Sequence, residues 1–387
     1  MKFAHMADVH LGSWNAHPDL RELPVAAFRK AIDICMHENV DFILVAGDLF
    51  DTSLPSMDIL KDAVAVLKRC ADAGIRVYVV PGSHDFSPSG KTMIAVLDEA
   101  GLVKDVSVRW AHDKTGAKIF GMPGKKLGLE ATIFDDLDLG LLEKEGGFKI
   151  FLFHSAVSDL AAFPASISLS SLPKNFDYYA TGHMHETYNS VVDCYGRLAF
   201  PGALFPTSFD ELEKNRGSNG FFILDVREKI HVDWREVRIC DVALVDIDAS
   251  GRKPKEIEGA LLERIKKYDI REKILLLKLH GRLDGKQSEI DMKNVMRLAG
   301  ENGARSVKKS VHFEMTEEKR PLEKKTDMED EIIEYYLDSS KLRLEKGEQK
   351  SMMISLMEVL GEEKNEDETH YDFEERIRAG ARKVLGI

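Results

Sequence analysis

A chain of 387 residues is long enough for two or three domains, and its hydrophobic fraction of 44% is that of an ordinary globular protein. A net charge of −12 excludes a module that grips a nucleic-acid backbone through a global basic field, but not an enzyme that meets phosphates at a metal centre. The four cysteines, Cys35, Cys70, Cys194 and Cys240, form no CxxC pair, which excludes a zinc knuckle. No segment approaches the ~20 apolar residues of a membrane span. His5 and Asp8 interrupt the N-terminus where a signal peptide needs an apolar run, so a cytoplasmic protein is expected.

In chain order, "KFAHMAD" reads as a strand, and residues 24–39 have helical apolar spacing behind a proline. "DFILVAG" is a buried strand ending in Gly47-Asp48, residues 56–73 a helix stopped by Gly74, and "IRVYVV" a strand running into "PGSHDFS". Residues 91–100 read as helix, and "FKIFLFH" and "FDYYATGHMH" as strands ending in histidine. This alternation predicts an α/β layered fold. The short strands after residue 186 ("SVVDCYG", "LAFPG", "GFFILDV", "IHVDWREV") are expected to form a second sheet packed on the first. Residues 241–315 then read as a small separate α/β domain, and from residue 316 a charged linker leads to helical stretches at Met328–Leu344, Gln349–Leu360 and Phe373–Leu385.

The chemistry gathers at strand ends. Asp8 and His10 form D-x-H after the first strand, Asp48 opens "GDLFD" after the second, and Ser83, His84 and Asp85 follow the third. His154 closes "FLFH", and His183 and His185 form H-x-H. Loops at the carboxyl ends of strands in an α/β sheet share one edge, so five segments can converge there. In an extended segment residues i and i+2 point the same way, which would let both members of each pair face one ion. A lone strand-end histidine is more often structural, but five such segments suit two transition-metal ions clamping a phosphoester. His5 points away from the D-x-H face and reads as a core residue.

D-x-H, G-D-x-x-D, G-x-H-D, H and G-H-x-H in this order resemble the calcineurin-like metallophosphoesterases. Within them, "ADVHLG", "VAGDLFDTSLPS", "GHMHETY" and "FPGALFPTSFDELE" resemble the SbcD/Mre-eleven DNA double-strand-break repair nucleases. The resemblance implies a four-layer sandwich of two mixed β-sheets flanked by helices over residues 1–240, a small α/β capping domain over 241–315, and a helical tail over 316–387. It implies two Mn²⁺ ions, one held by Asp8, His10, Asp48 and His185, the other by Asp48, His154, His183 and residue 83. His84 would stand outside the metal shell and protonate the leaving oxygen, with Asp85 orienting its ring. The implied activity is 3′→5′ exonuclease on DNA ends with endonuclease action on single strands, in a nucleoid-associated cytoplasmic complex. A Rad-fifty/SbcC-like ATPase would bind residues 328–387, and a homodimer would form through helices 57–69 and 92–100, with Met93, Val96 and Leu97 as contacts.

The departure is Ser83, where the family carries asparagine. A serine hydroxyl is a shorter and poorer donor to a divalent ion, so a weaker second site is expected, by about 10–100-fold. Two other readings follow: a phosphodiesterase acting on small nucleotides or phosphoproteins, and a DNA-tethering subunit weakened at Ser83. Lys91, Arg109 and Lys125-Lys126 are the local basic candidates for holding DNA.

Overall fold

The computed structural model describes residues 1–87, 91–124, 139–158 and 167–313, parts of 349–359, and 370–385. Residues 1–315 form one compact unit and 316–387 another. In the first unit, β1 (Lys2–Met6), β2 (Phe42–Ala46), β3 (Arg76–Val80) and β4 (Lys104–Asp105) run parallel side by side. The hairpin of β11 (Ser218–Val226) and β12 (Ile230–Arg238) extends this sheet on the β1 side, giving the order β12-β11-β1-β2-β3-β4. A second sheet has the order β5-β6-β7-β8-β10-β9, from Trp110–His112, Lys118–Met122, Lys149–His154, Tyr178–Gly182, Arg197–Phe200 and Tyr188–Val191 respectively.

The expectation that all strands after residue 186 build the second sheet holds only for β9 and β10. The β11 strand instead pairs antiparallel with β1, Phe3 opposite Leu224 and His5 opposite Phe222. Its partner is a strand more than 200 residues away, which local pattern does not encode.

The two-residue period of the strands sorts the core into layers. Phe3, Phe42, Leu44 and Tyr78 of the first sheet meet Ile119, Ile150, Leu152 and Tyr178 of the second. The alternate residues, Ala4, Met6, Ile43, Val45, Val77 and Val79, face α1 (Leu23–His37), α2 (Met57–Asp72) and α3 (Met93–Glu99). On the far side, Phe151, Phe153, Tyr179 and Phe200 are covered by Leu172, Phe176 and Leu142 of α4 (Leu139–Lys144). Each such large side chain contributes about 1.5–3 kcal/mol of burial, so both sheets are rigidly held and the loops at their edge are well supported.

After α5 (Phe209–Asn215), a three-stranded parallel sheet follows: β13 (Val242–Asp248), β14 (Ile274–Gly281) and β15 (Ser306–Phe313), with α6 (Pro254–Lys267) and α7 (Met292–Glu301) between them. The unbroken apolar run of β14 has two jobs. Leu275, Leu277 and Leu279 pack under the helices with Ile257, Leu261 and Val295, while Ile274 and Leu276 join the larger core. Lys278 donates to both carboxylate oxygens of Glu213 on α5, at 2.8 and 3.0 Å.

In the second unit, α8 (His370–Leu385) packs against the stretch before it, because a Cβ on Gly380 would lie 2.8 Å from a Val359 methyl. The expected helix at Met328–Leu344 lies outside the described residues, as do Met353, Met357 and Leu360. Of the expected dimer contacts, Val96 is 56% exposed, but Leu97 is 1% exposed and Met93 half-buried on the first sheet's helical core. Leu97 is therefore a core residue, since the helix turns it inward beside Ile94.

Candidate metal centre

The five loops do converge. Main-chain bonds tie the loop after β1 to the loop after β2: Asp8 N donates to Gly47 O (3.1 Å), His10 N to Asp48 O (3.0 Å) and Leu11 N to Leu49 O (3.0 Å). Asp8, His10, Asp48 and His183 all adopt left-handed backbone, with φ of 50°, 47°, 49° and 79°. Such conformations cost about 1–3 kcal/mol each and persist where the surroundings over-determine them. They also replace the extended geometry assumed for D-x-H and H-x-H: a turn, not strand alternation, aims Asp8 and His10 inward. The loops close tightly enough that a Cβ on Gly82 would lie 2.2 Å from Asp48 Oδ1, and one on Gly47 2.2 Å from His154 Nδ1.

Ligating atoms collect in three overlapping groups, each within 4.8 Å: Asp8, His10 and His185; Asp8, Asp48 and His154; and His10, Asp48 and His84. His154 Nδ1 donates to Ala46 O at 2.8 Å, which fixes the tautomer and turns Nε2 toward Asp48 Oδ2 at 3.2 Å. That Nε2 is buried with only a carboxylate in front of it, and His10 Nδ1 likewise faces Asp51 Oδ1 at 3.2 Å. His10 Nε2 and His185 Nε2 face each other at 3.2 Å. Buried imidazole nitrogens and two buried carboxylates, with His154 braced from behind by Ala46 O and His185 by Glu211, are the donor set of a divalent transition-metal site. The residues present fit metal ions.

The electrostatics agree. Burial alone would pull His154 down, but Asp48 and Asp8 outweigh it and push it up to about 10, while Asp48 is held well below the usual carboxylate range. Burial likewise pulls His185 down, and the bond to Glu211 with the charge of Asp8 raises it to about 9. A cluster this rich in acceptor charge draws in positive charge, as protons or as metal.

Glu211 is the residue that sequence reasoning missed. Its Oε1 accepts from His185 Nδ1 at 2.8 Å and its Oε2 from Thr207 N at 2.8 Å. It stands in the first turn of α5, capped by Ser208, where an acidic residue ordinarily reads as a helix-terminus charge.

Asp85 does not orient His84, contrary to expectation. Its buried carboxylate accepts from Gly82 N (2.9 Å), Phe50 N (3.0 Å) and Leu49 N (3.2 Å), pinning the loops after β2 and β3 together. Burial and the charge of Asp48 push it up to about 6 against those donors. The His84 ring is held by Asp51 instead: Nδ1 donates to the Asp51 carbonyl at 2.8 Å, because a carbonyl can only accept. The exposed His84 ring stands edge-on to His10 at 4.9 Å.

Ser83 is half-buried, and its hydroxyl donates to Asp48 Oδ2 at 3.5 Å. His183 is exposed at the rim, edge-on to His154 at 5.2 Å, and its amide donates to Asp8 at 3.0 Å. Arg109 is committed elsewhere, donating to Asp98 at 2.7 Å and Asp105 O at 2.6 Å, while Lys91 is exposed and Lys125-Lys126 lie outside the described residues. No helix among the described residues is long and apolar enough to cross a membrane.

Comparison with known proteins places this geometry in context. The calcineurin-like phosphoesterase family matches residues 1–187. DNA double-strand break repair protein Mre11 of Saccharolobus solfataricus is 28% identical over 60% of this chain and 62% of its own length. The protein of that name from Archaeoglobus fulgidus is 26% identical over 97% of this chain and 94% of its own. That from Sulfurisphaera tokodaii is 34% identical over 47% of this chain, so two of these three matches cover less than two thirds of the relative.

Proposed function

From its membership of the Mre11 family of calcineurin-like phosphoesterases, we propose that this chain is the two-metal DNA nuclease subunit of a double-strand-break repair complex. The observation that carries the reading is the convergence of strand-end loops in three overlapping clusters of Asp and His, with the buried His154 Nε2 turned to Asp48 Oδ2 at 3.2 Å. Asp8, His10, Asp48 and His185 would hold one ion, and Asp48, His154, His183 and Ser83 the other, with Mn²⁺ as the metal. Bound there, the ions would polarise a phosphodiester and supply the attacking oxygen at neutral pH.

The chain's own residues do the rest. Ala46 O and Glu211 fix the rings of His154 and His185, so their inward nitrogens need no reorganisation. Asp85 holds the amides that carry Asp48 and His84 in register. With Nδ1 committed to Asp51 O, His84 would have only Nε2 with which to hand a proton to the leaving 3′ oxygen, a role its exposure supports. The activity proposed is 3′→5′ exonuclease action on duplex ends and endonuclease action on single strands.

The same reading assigns partners. A Rad-fifty/SbcC-like ATPase engages residues 328–387, whose described part carries the half-buried Met352, Leu356 and Val359. A homodimer uses the exposed Leu54, Met57 and Val96 beside α2 and α3. The test is a Mn²⁺-dependent assay of linear duplex DNA against bis-p-nitrophenyl phosphate. Cleavage of both is expected, and His84→Ala should lose about 10²–10⁴-fold in DNA cleavage while binding Mn²⁺ normally. Activity on the small ester alone would overturn the nuclease reading.

A further inference from the structure

A cleft leads away from the metal centre. Its inner part, a cavity of about 440 Å³, is lined by His183, Met184, His185 and Ala156 on one side and by α5 residues Glu211 and Asn215 on the other. Its outer part, about 210 Å³, shares His185, Glu186, Lys214 and Asn215 with the first and ends at Trp234 on β12. The two cavities therefore lie side by side, sharing these four residues, between the metal-site histidines and an aromatic ring.

Trp234 stands apart from the other tryptophans. Trp14 donates its indole N–H to Pro206 O at 2.7 Å, and Trp110 stacks on Phe176 at 5.9 Å. Trp234 is 38% exposed, and its ring packs over Gly220, where a Cβ would come within 2.6 Å of the ring. A glycine beneath fixes the ring at the mouth of the cleft and leaves it accessible.

The polar lining selects what can enter. Glu186, Asp210 and Glu211 are acidic, and among the described residues Lys214, which pairs with Glu186, is the cleft's only lysine or arginine. Phosphates are repelled from such a channel, whereas neutral bases meet acceptors for their amino groups and apolar surface at Met184 and Ala156. The volume lies within the usual range of small-molecule sites, about 300–1,000 Å³.

We propose that this cleft receives the unpaired bases of a single nucleic-acid strand whose phosphodiester lies at the metal centre, with Trp234 as the stacking platform for an outer base. The inference rests on the nuclease reading above and names the form in which the substrate is held. Base–aromatic stacking suits this role because every base offers a π face, so the platform is indifferent to sequence.

The test is intrinsic fluorescence of the full chain titrated with a thymidylate hexamer, a thymidylate dimer and a blunt hexamer duplex. The hexamer should quench the fluorescence and the dimer should not. Trp234→Phe should remove the quenching and keep most of the affinity, while Trp234→Ala should weaken hexamer binding about tenfold, the scale of one lost stack. Quenching that persists in Trp234→Phe, or equal hexamer affinity in wild type and Trp234→Ala, would overturn the proposal, as would a duplex that depends on Trp234 equally. Hexamer bound at Trp234 but never cut by the wild type would overturn the nuclease reading. Hexamer cut with no Trp234 signal would overturn the cleft alone.

Discussion

His154 and His5 are both wholly buried, one at the edge where the loops converge and the other in the layer between the sheets, yet their protonation runs in opposite directions. His5 donates from Nε2 to Thr181 O at 3.1 Å and accepts at Nδ1 from the Tyr178 hydroxyl at 2.8 Å. Both nitrogens are satisfied by neutral groups, and burial presses the ring down to about 3. His154 is equally buried, but its second nitrogen faces Asp48, and the charges of Asp48 and Asp8 carry it up to about 10. Burial does not make a histidine a ligand. What decides it is whether the inward nitrogen already has a neutral partner or is left facing carboxylates.

The sharpest way to break that contrast is to remove the carboxylate. Asp48→Asn should cut phosphodiesterase activity at least about a thousandfold, as loss of one member of a cooperating set does, and abolish Mn²⁺ binding by titration calorimetry. Activity within tenfold of wild type would end the assignment of Asp48 as the shared ligand. Next in size is the support behind His185. Glu211→Gln keeps the shape but weakens the acceptor at His185 Nδ1, and should lower Mn²⁺ affinity about 10–100-fold. Unchanged affinity would make Glu211 a helix-capping charge and nothing more. A smaller effect is expected at Ser83, whose hydroxyl reaches Asp48 Oδ2 only at 3.5 Å. Ser83→Asn should tighten the weaker of two Mn²⁺ sites about tenfold, the low end of what one supporting group contributes. No change would mean the hydroxyl already serves as well as an amide.

The same contrast explains what could be read beforehand. Asp8, His10, Asp48, His154 and His185 were legible because each ends an apolar run, and parallel strands bring such ends to one edge. The role of Asp85 was not, because the acidic residue next to His84 turned out to serve three amides across two loops. Glu211 was hidden because its bond to His185 spans 26 residues and α5 has only seven. The placement of β11 beside β1 depends on a pairing that no local period specifies. The left-handed turns at Asp8, His10, Asp48 and His183 leave no mark, since aspartate and histidine tolerate that region without a glycine to announce it.

The inter-sheet histidine gives the smallest effect and the cleanest sign. The ring of His5 titrates at about 3 in the folded chain and near its ordinary 6.5 when unfolded. Between these values the unfolded state binds the extra proton, so stability falls as pH falls through that window and is unaffected above it. At pH 5.5 the loss is roughly 1 kcal/mol relative to neutral pH. His5→Gln retains an acceptor for Tyr178 and a donor for Thr181 but does not titrate. Urea unfolding of metal-free protein at pH 7.5 and 5.5 should show wild type losing about that much more stability than His5→Gln, because every other titrating group is common to both. Equal losses would mean that water reaches His5, and that the division between a neutral inter-sheet layer and a charged strand-end edge is less sharp than the hydrogen bonds of Tyr178 and Thr181 require.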